Sequence, residues 1–210
     1  MRELLAGIQQ AVVDYEAEKV KDLVQQAVDE NIDVATILNE GLIGAMNALN
    51  EKFKNNQVFL PEILASVHSM AAGMEILKPL IAQAGIKEKG TVVMGTVKED
   101  LHDIGKNIVI AMLEGAGYKV IDLGIDVAPA KFVEAIEEHR PQVVGVAALL
   151  TTTMTNMGET IAAIKASYPG VKTIVGGAPV TQEFADRIGA DAYAVDGGIA
   201  VEKVNGFIAG

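Results

Sequence analysis

The sequence predicts a protein of α plus α/β class, a bundle of four helices followed by a five-stranded parallel sheet. Three observations predict it. Apolar residues recur at helical spacing through residues 1–88, and from Gly90 short β-branched runs alternate with helical patterns. The composition is that of a globular chain, 50% hydrophobic and 21% charged over 210 residues.

Leu4, Leu5, Ile8, Ala11, Val12 and Tyr15 share one face of a first helix, and Val20, Leu23, Val24, Ala27 and Val28 one face of a second. Val34, Ile37, Leu38, Leu42, Ala45, Met46, Leu49 and Phe53 form a third stripe. Ile63, Leu64, Val67, Met70, Ala71, Met74 and Leu77 form a fourth. The breaks at 14–18, 29–33 and 55–61 are short, so neighbouring helices should stack antiparallel. Pro61 suits the first turn of the fourth helix, where its missing N–H costs nothing.

Apolar runs at 91–96, 120–123, 143–149 and 173–175, with a weaker fifth at 192–195, are spaced by helical patterns near 104–116, 129–139, 155–167 and 180–188. Near-continuous apolar strands mean a parallel sheet covered on both faces. Five such units favour a flavodoxin-like (Rossmann-type) domain with strand order 2-1-3-4-5. The expected domains are 1–88 and 89–210, with a linker at 85–90 that could act as a hinge.

Lys and Arg total 17 against 28 Asp and Glu, a net charge of −11, which disfavours nucleic acid and anionic lipid as partners. The absence of Cys removes disulfides, thiolate metal sites and thiol nucleophiles. No apolar run reaches membrane-spanning length and none begins the chain as a leader, so the expectation is a soluble cytoplasmic protein.

In a doubly wound sheet, ligands bind beyond the carboxyl ends of the strands at the switch point. Three loops reach that edge: 97–105 after the first strand, 150–155 after the third and 176–179 after the fourth. The first holds Asp100 and His102, two residues apart. Asp100 can accept the hydrogen of one ring nitrogen and leave the other as a lone-pair donor. The plainer alternative makes Asp100 a helix cap and His102 a solvated loop residue. Gly105, Gly176 and Gly177 would let a bulky ligand approach backbone, although Gly-Gly also marks an ordinary turn. Thr151, Thr152 and Thr153 offer hydroxyls, or simply finish a strand. No G-x-G-x-x-G follows the first strand and no P-loop motif is present, which disfavours a dinucleotide and excludes a P-loop nucleotide site.

Asp100-x-His102-x-x-Gly105, then Leu149, then Gly176-Gly177 resembles the D-x-H-x-x-G … S-x-L … G-G signature of cobalamin-binding domains. The run 97–109 is similar to the fuller motif of methyl-transferring corrinoid proteins. Phe53 and Phe59-Leu60-Pro61-Glu62 resemble the helical cap of methionine synthase and of the corrinoid proteins of methanol, methylamine and glycine betaine methyltransferase systems. The resemblance spans about residues 1–208.

The resemblance implies a corrinoid held base-off/His-on, with His102 as the lower ligand of cobalt and Asp100 tuning its basicity. Thr153 would extend that relay. Asp103, Ile104, Gly105, Ala147, Leu149, Thr151, Gly176 and Gly177 would line the cofactor or its displaced nucleotide tail. Phe53 and Leu60 would shield the upper corrin face. One departure is plain: Ala147 stands where the signature has Ser. The implied function is that of a methyl carrier, a subunit rather than a complete enzyme. It would accept a methyl group from a substrate-specific methyltransferase and deliver it to a second methyltransferase that serves tetrahydrofolate or coenzyme M. A reductive activase is a further implied partner. The alternatives are a cobalamin-dependent sensor or regulatory protein and the cobalamin subunit of a mutase.

Overall fold

The computed structural model describes residues 1–84 and 89–209, so residues 85–88 of the expected linker lie outside the described residues. The chain divides into two compact units. One runs from Met1 and takes in Gly115–Gly117, and the other begins at Lys89.

The first unit is helical. In α1 (Arg2–Val13), Leu5, Ile8, Ala11 and Val12 are buried, and in α2 (Ala17–Asp29), Val20, Val24 and Ala27 are. These are the residues whose spacing put them on one face. The third stripe forms a continuous helical run rather than a plain α-helix. It is composed of α3 (Val34–Thr36), a π-helical stretch (Ile37–Ile43) and α4 (Gly44–Lys54). Asp33 caps it by accepting from the Thr36 N–H at 3.0 Å. The final helix of this unit is α5 (Leu60–Ala84), with Pro61 in its first turn and Pro79 inside it. Glu62 accepts from the Phe59 N–H at 2.7 Å, as in a capping box.

The second unit is a parallel sheet of β1 (Thr91–Thr96), β2 (Lys119–Asp122), β3 (Val143–Ala147), β4 (Lys172–Gly176) and β5 (Ala192–Tyr193). Its order is β2-β1-β3-β4-β5, as the alternation of the sequence predicts. The intervening helices are α6 (Ile104–Gly115), α7 (Pro129–His139), α8 (Met154–Ser167) and α9 (Gln182–Ile188). On one sheet face Val93, Val144, Val146 and Val175 pack with Phe132, Ile136, Met157, Ile161 and Phe184 of α7–α9. A last helix, α10 (Gly197–Ala209), has no counterpart among the helical patterns read from the sequence. Its Gly197-Gly198 and Asn205-Gly206 pairs carry turn signals that hide the apolar stripe of Ala200, Val201 and Val204. Register sets Thr96 beside Ala147 and Ala147 beside Gly176, so the carboxyl ends of β1, β3 and β4 finish level. No helix among the described residues is long and apolar enough to cross a membrane.

Candidate functional site

The loop after β1 is drawn across the end of the sheet. The Val97 N–H donates to the Ala147 carbonyl at 3.0 Å, and the Asp100 N–H donates to the Val97 carbonyl at 3.1 Å. This turn brings Asp100 inward, where it is wholly buried. Its Oδ1 accepts from the His102 backbone N–H at 3.1 Å and faces His102 Nδ1 at 2.8 Å. Its Oδ2 accepts from the Leu149 N–H at 2.8 Å and from the Thr153 hydroxyl at 2.7 Å. The Leu150 N–H stands further off at 3.4 Å. Burial alone would push the Asp100 carboxyl up. The hydrogen bonds from Leu149, Thr153 and His102 outweigh burial and hold it well below the usual carboxylate range. Asp100 therefore does not cap α6, although His102 is a half-exposed loop residue as the plainer alternative has it.

An ionised carboxylate only accepts hydrogen bonds, so His102 Nδ1 carries a ring hydrogen, and in the neutral imidazole Nε2 is then the nitrogen with the lone pair. The imidazole is 48% exposed, and Nε2 has no partner among the described residues. The loop thus presents the Nε2 side of the ring outward from the sheet edge, oriented by a buried anion. No group of three or more acidic or histidine side chains among the described residues is placed to hold a bare metal ion.

Exposed apolar side chains lie on the same loops as His102, beside exposed Glu99 and Asp103. Leu101 and Ile104 are 68% and 76% exposed, and Ile125, Leu149 and Leu150 also show large apolar surface to solvent. Grouped exposure of this kind marks a ligand or partner surface. Gly105 faces open space, with nothing within 4 Å of where a Cβ would stand. The other two glycines have backbone reasons of their own. Gly177 has φ +135°, and a Cβ there would stand 1.8 Å from the Ala148 carbonyl oxygen. A Cβ on Gly176 would stand 2.9 Å from the Ala194 carbonyl oxygen. Asp103 and Thr151 are exposed, and Ala147 is half-buried at the end of β3. Phe53 and Leu60 belong to the helical unit, in the last turn of α4 and at the start of α5, and both are half-buried.

Three contributors are not among the candidate residues singled out from the sequence. Asp126, after β2, accepts from the Glu99 N–H at 2.7 Å. Asn156 of α8 donates to the Lys98 carbonyl at 2.6 Å. Lys106, in the first turn of α6, is buried and pairs with Asp122 at 2.5 Å. Only its place directly after Gly105, at the mouth of the site, could have singled it out.

Residues 90–205 match a family described as B12 binding domain, and residues 4–78 match a second family of the same description. A corrinoid protein of Desulfitobacterium hafniense is 42% identical over 207 residues, covering 96% of both chains. Trimethylamine corrinoid protein 1 of Methanosarcina acetivorans is 40% identical over 206 residues, 96% of this chain and 95% of that one. Among solved structures, the methanol:cobalamin methyltransferase complex of Methanosarcina barkeri superposes with a TM-score of 0.88 at 30% identity. The match covers 99% of this chain and 80% of the other. A cobalamin-binding protein from Desulfitobacterium hafniense gives a TM-score of 0.78 at 30% identity, covering 97% and 98% of the two chains. With its helical and α/β parts each matched and its relatives aligned from end to end, this chain belongs to the corrinoid proteins built on the B12 binding domain.

Proposed function

We propose that this chain is the methyl-carrying corrinoid subunit of a methyltransferase system. The observation that carries the reading is His102, an exposed imidazole with Nδ1 fixed by a buried carboxylate and Nε2 free, set among exposed apolar side chains. That environment fits a flat, largely apolar macrocycle whose metal needs one nitrogen from the protein. A bound corrinoid supplies a cobalt centre that takes up and gives up a methyl group. The relatives named for trimethylamine, and the complex named for methanol, support a methyltransferase as partner.

In this reading His102 Nε2 would hold the cobalt in place of the cofactor's own base (base-off/His-on). Asp100 keeps Nδ1 protonated and raises the donor strength of Nε2, and Thr153 steadies Asp100 from behind. Ile104 and Leu149 offer apolar contact, and Gly105 leaves room for the displaced tail. Asp103, Thr151, Gly176 and Gly177 border the same edge of the sheet. By the resemblance of the helical unit, Phe53 and Leu60 would shield a bound methyl group from water and light. On that assignment Phe53→Ala should speed photolysis of bound methylcobalamin several-fold, followed by loss of its absorption. An unchanged rate removes the shielding role.

Ala147 stands where a hydroxyl is usual. One neutral hydrogen bond contributes about 1 kcal/mol, so its absence should leave binding intact. Ala147→Ser should hold corrinoid as well as the wild type or a few-fold better in a retention assay on a desalting column. Weaker retention by the Ser form would show that the hydroxyl has no place in this site.

The partners are a substrate-specific methyltransferase, a second methyltransferase serving tetrahydrofolate or coenzyme M, and a reductive activase. The test is direct. The protein is loaded with hydroxocobalamin, reduced, and offered trimethylamine, dimethylamine or methanol, each with its methyltransferase, while the corrinoid absorption is followed. Methylation with one donor and its enzyme supports the carrier role. Tight corrinoid binding with no methylation from any donor would sink it.

A further inference from the structure

We infer that Asp126 is a positioning residue that locks the His102 loop in its ligand-presenting conformation. The inference rests on the reading of His102 as the metal ligand. Among non-glycine residues Glu99 and Asp126 both adopt the left-handed conformation, at φ 67° and 53°. A residue with a Cβ is disfavoured there and stays only where its surroundings over-determine it. Here the two residues hold each other. The Glu99 N–H donates to Asp126 Oδ1 at 2.7 Å, and the Asp126 N–H donates to the Asp100 carbonyl at 3.0 Å.

The clamp is anchored on both sides. Beyond Asp126, the Val127 N–H donates to the Thr96 carbonyl at 2.9 Å, and Val127 forms an isolated parallel bridge with Val97. Opposite, Asn156 donates to the Lys98 carbonyl at 2.6 Å. Lys98, Glu99 and Asp100 are therefore held in succession. The left-handed step at Glu99 is what turns the chain so that Asp100 is buried and His102 faces out. Asp126 itself is exposed, so packing gives no reason for it. Its side chain serves the loop of another residue, 24 positions earlier in the chain than itself in the case of His102.

Asp126→Gly and Asp126→Asn separate strain from clamp. Glycine accepts the left-handed backbone but removes the acceptor, whereas asparagine keeps both. With hydroxocobalamin as probe, Asp126→Gly should bind roughly 10-fold more weakly, the lower end of what supporting residues around a metal ligand contribute. It should also show a smaller share of the absorption given by axial imidazole. In the cofactor-free protein, amide hydrogen exchange at Glu99 should accelerate. Asp126→Asn should match the wild type in all three readouts. An Asp126→Gly protein with wild-type affinity and spectrum overturns the proposal, as does an Asp126→Asn protein equally impaired. His102→Ala is the control. If its spectrum is unchanged the ligand assignment itself fails, whereas a changed spectrum with Asp126→Gly unaffected means that the clamp alone fails.

Discussion

Asp100→Ala is expected to destabilise the α/β unit by about 3 kcal/mol and to release the corrinoid. The carboxylate is buried and collects the Leu149 N–H, the His102 N–H, His102 Nδ1 and the Thr153 hydroxyl. Truncation orphans these donors unequally. The Thr153 hydroxyl can still donate to the Leu150 carbonyl at 2.9 Å. Leu149 and His102 lie near solvent, so water recovers part of their loss. What remains is one or two poorly solvated N–H groups, at about 1–3 kcal/mol each. A change of that size lowers the midpoint by roughly 10–15 °C for a unit of about 120 residues, which calorimetry of the cofactor-free protein would read.

The pH dependence has a definite sign. The Asp100 carboxyl is held below its unfolded value of about 3.9, so its contribution is complete above that pH and declines as pH falls through the folded value. The stability gap between wild type and Asp100→Ala should be constant near neutrality and should narrow below about pH 4. A gap that widens in acid would contradict the assignment. Asp100→Asn probes chemistry more than stability. Its oxygen should face Leu149 and Thr153, leaving the amide hydrogen pointing at His102 Nδ1. That moves the ring hydrogen to Nε2 and blocks the donor, so corrinoid affinity should fall by roughly 10-fold or more although the fold survives.

The parts legible in the sequence are those carried by local periodicity. Most of the apolar stripes of α1 and α2 and the β-branched runs of β1, β3 and β4 are buried as their spacing predicts, whereas Tyr15 falls beyond α1 and is exposed. The doubly wound order follows from alternation and places the three loops on one edge. The π-helical stretch at Ile37–Ile43 was not legible, because its residues keep the spacing of an ordinary helix. Nor was α10, because glycines at its start and near its end imitate turns.

For the site, the Asp100–His102 pair was legible as a spacing, but not its choice between cap and relay. The groups that decide it, the Leu149 N–H and Thr153, are about fifty residues away. Asp126 and Asn156 act on loop backbone, and side chain to backbone contacts between distant segments leave no residue pattern. Gly177 reads as room for a ligand or as an ordinary turn, and its φ of +135° and the nearby Ala148 carbonyl require glycine with or without a ligand. One residue can satisfy the backbone and the ligand at once, and sequence alone does not separate the two demands.

On the proposed assignment, His102→Ala should remove the metal ligand and leave the fold standing. The imidazole is half-exposed and makes a single side-chain hydrogen bond, so its loss should cost about 1 kcal/mol or less. Asp100 is not stranded, because its Oδ1 keeps the His102 backbone N–H, a contact that alanine preserves. Its Oδ2 partners are untouched. Corrinoid affinity should nevertheless fall at least 10–100-fold, the range seen for groups that merely support a ligand. The absorption of whatever cofactor remains should lose the signature of axial imidazole. Added imidazole should restore it, since the vacated volume lies at an exposed edge and Asp100 Oδ1 can take the new ring's N–H. Asp100→Ala should not respond to imidazole in the same way, because the anion that orients the ring is gone. A His102→Ala protein with unaltered spectrum and affinity would place the metal ligand elsewhere and with it remove the reason for the buried carboxylate. Loss in His102→Ala that imidazole repairs, beside loss in Asp100→Ala that it does not, would assign ligation to one residue and orientation to the other.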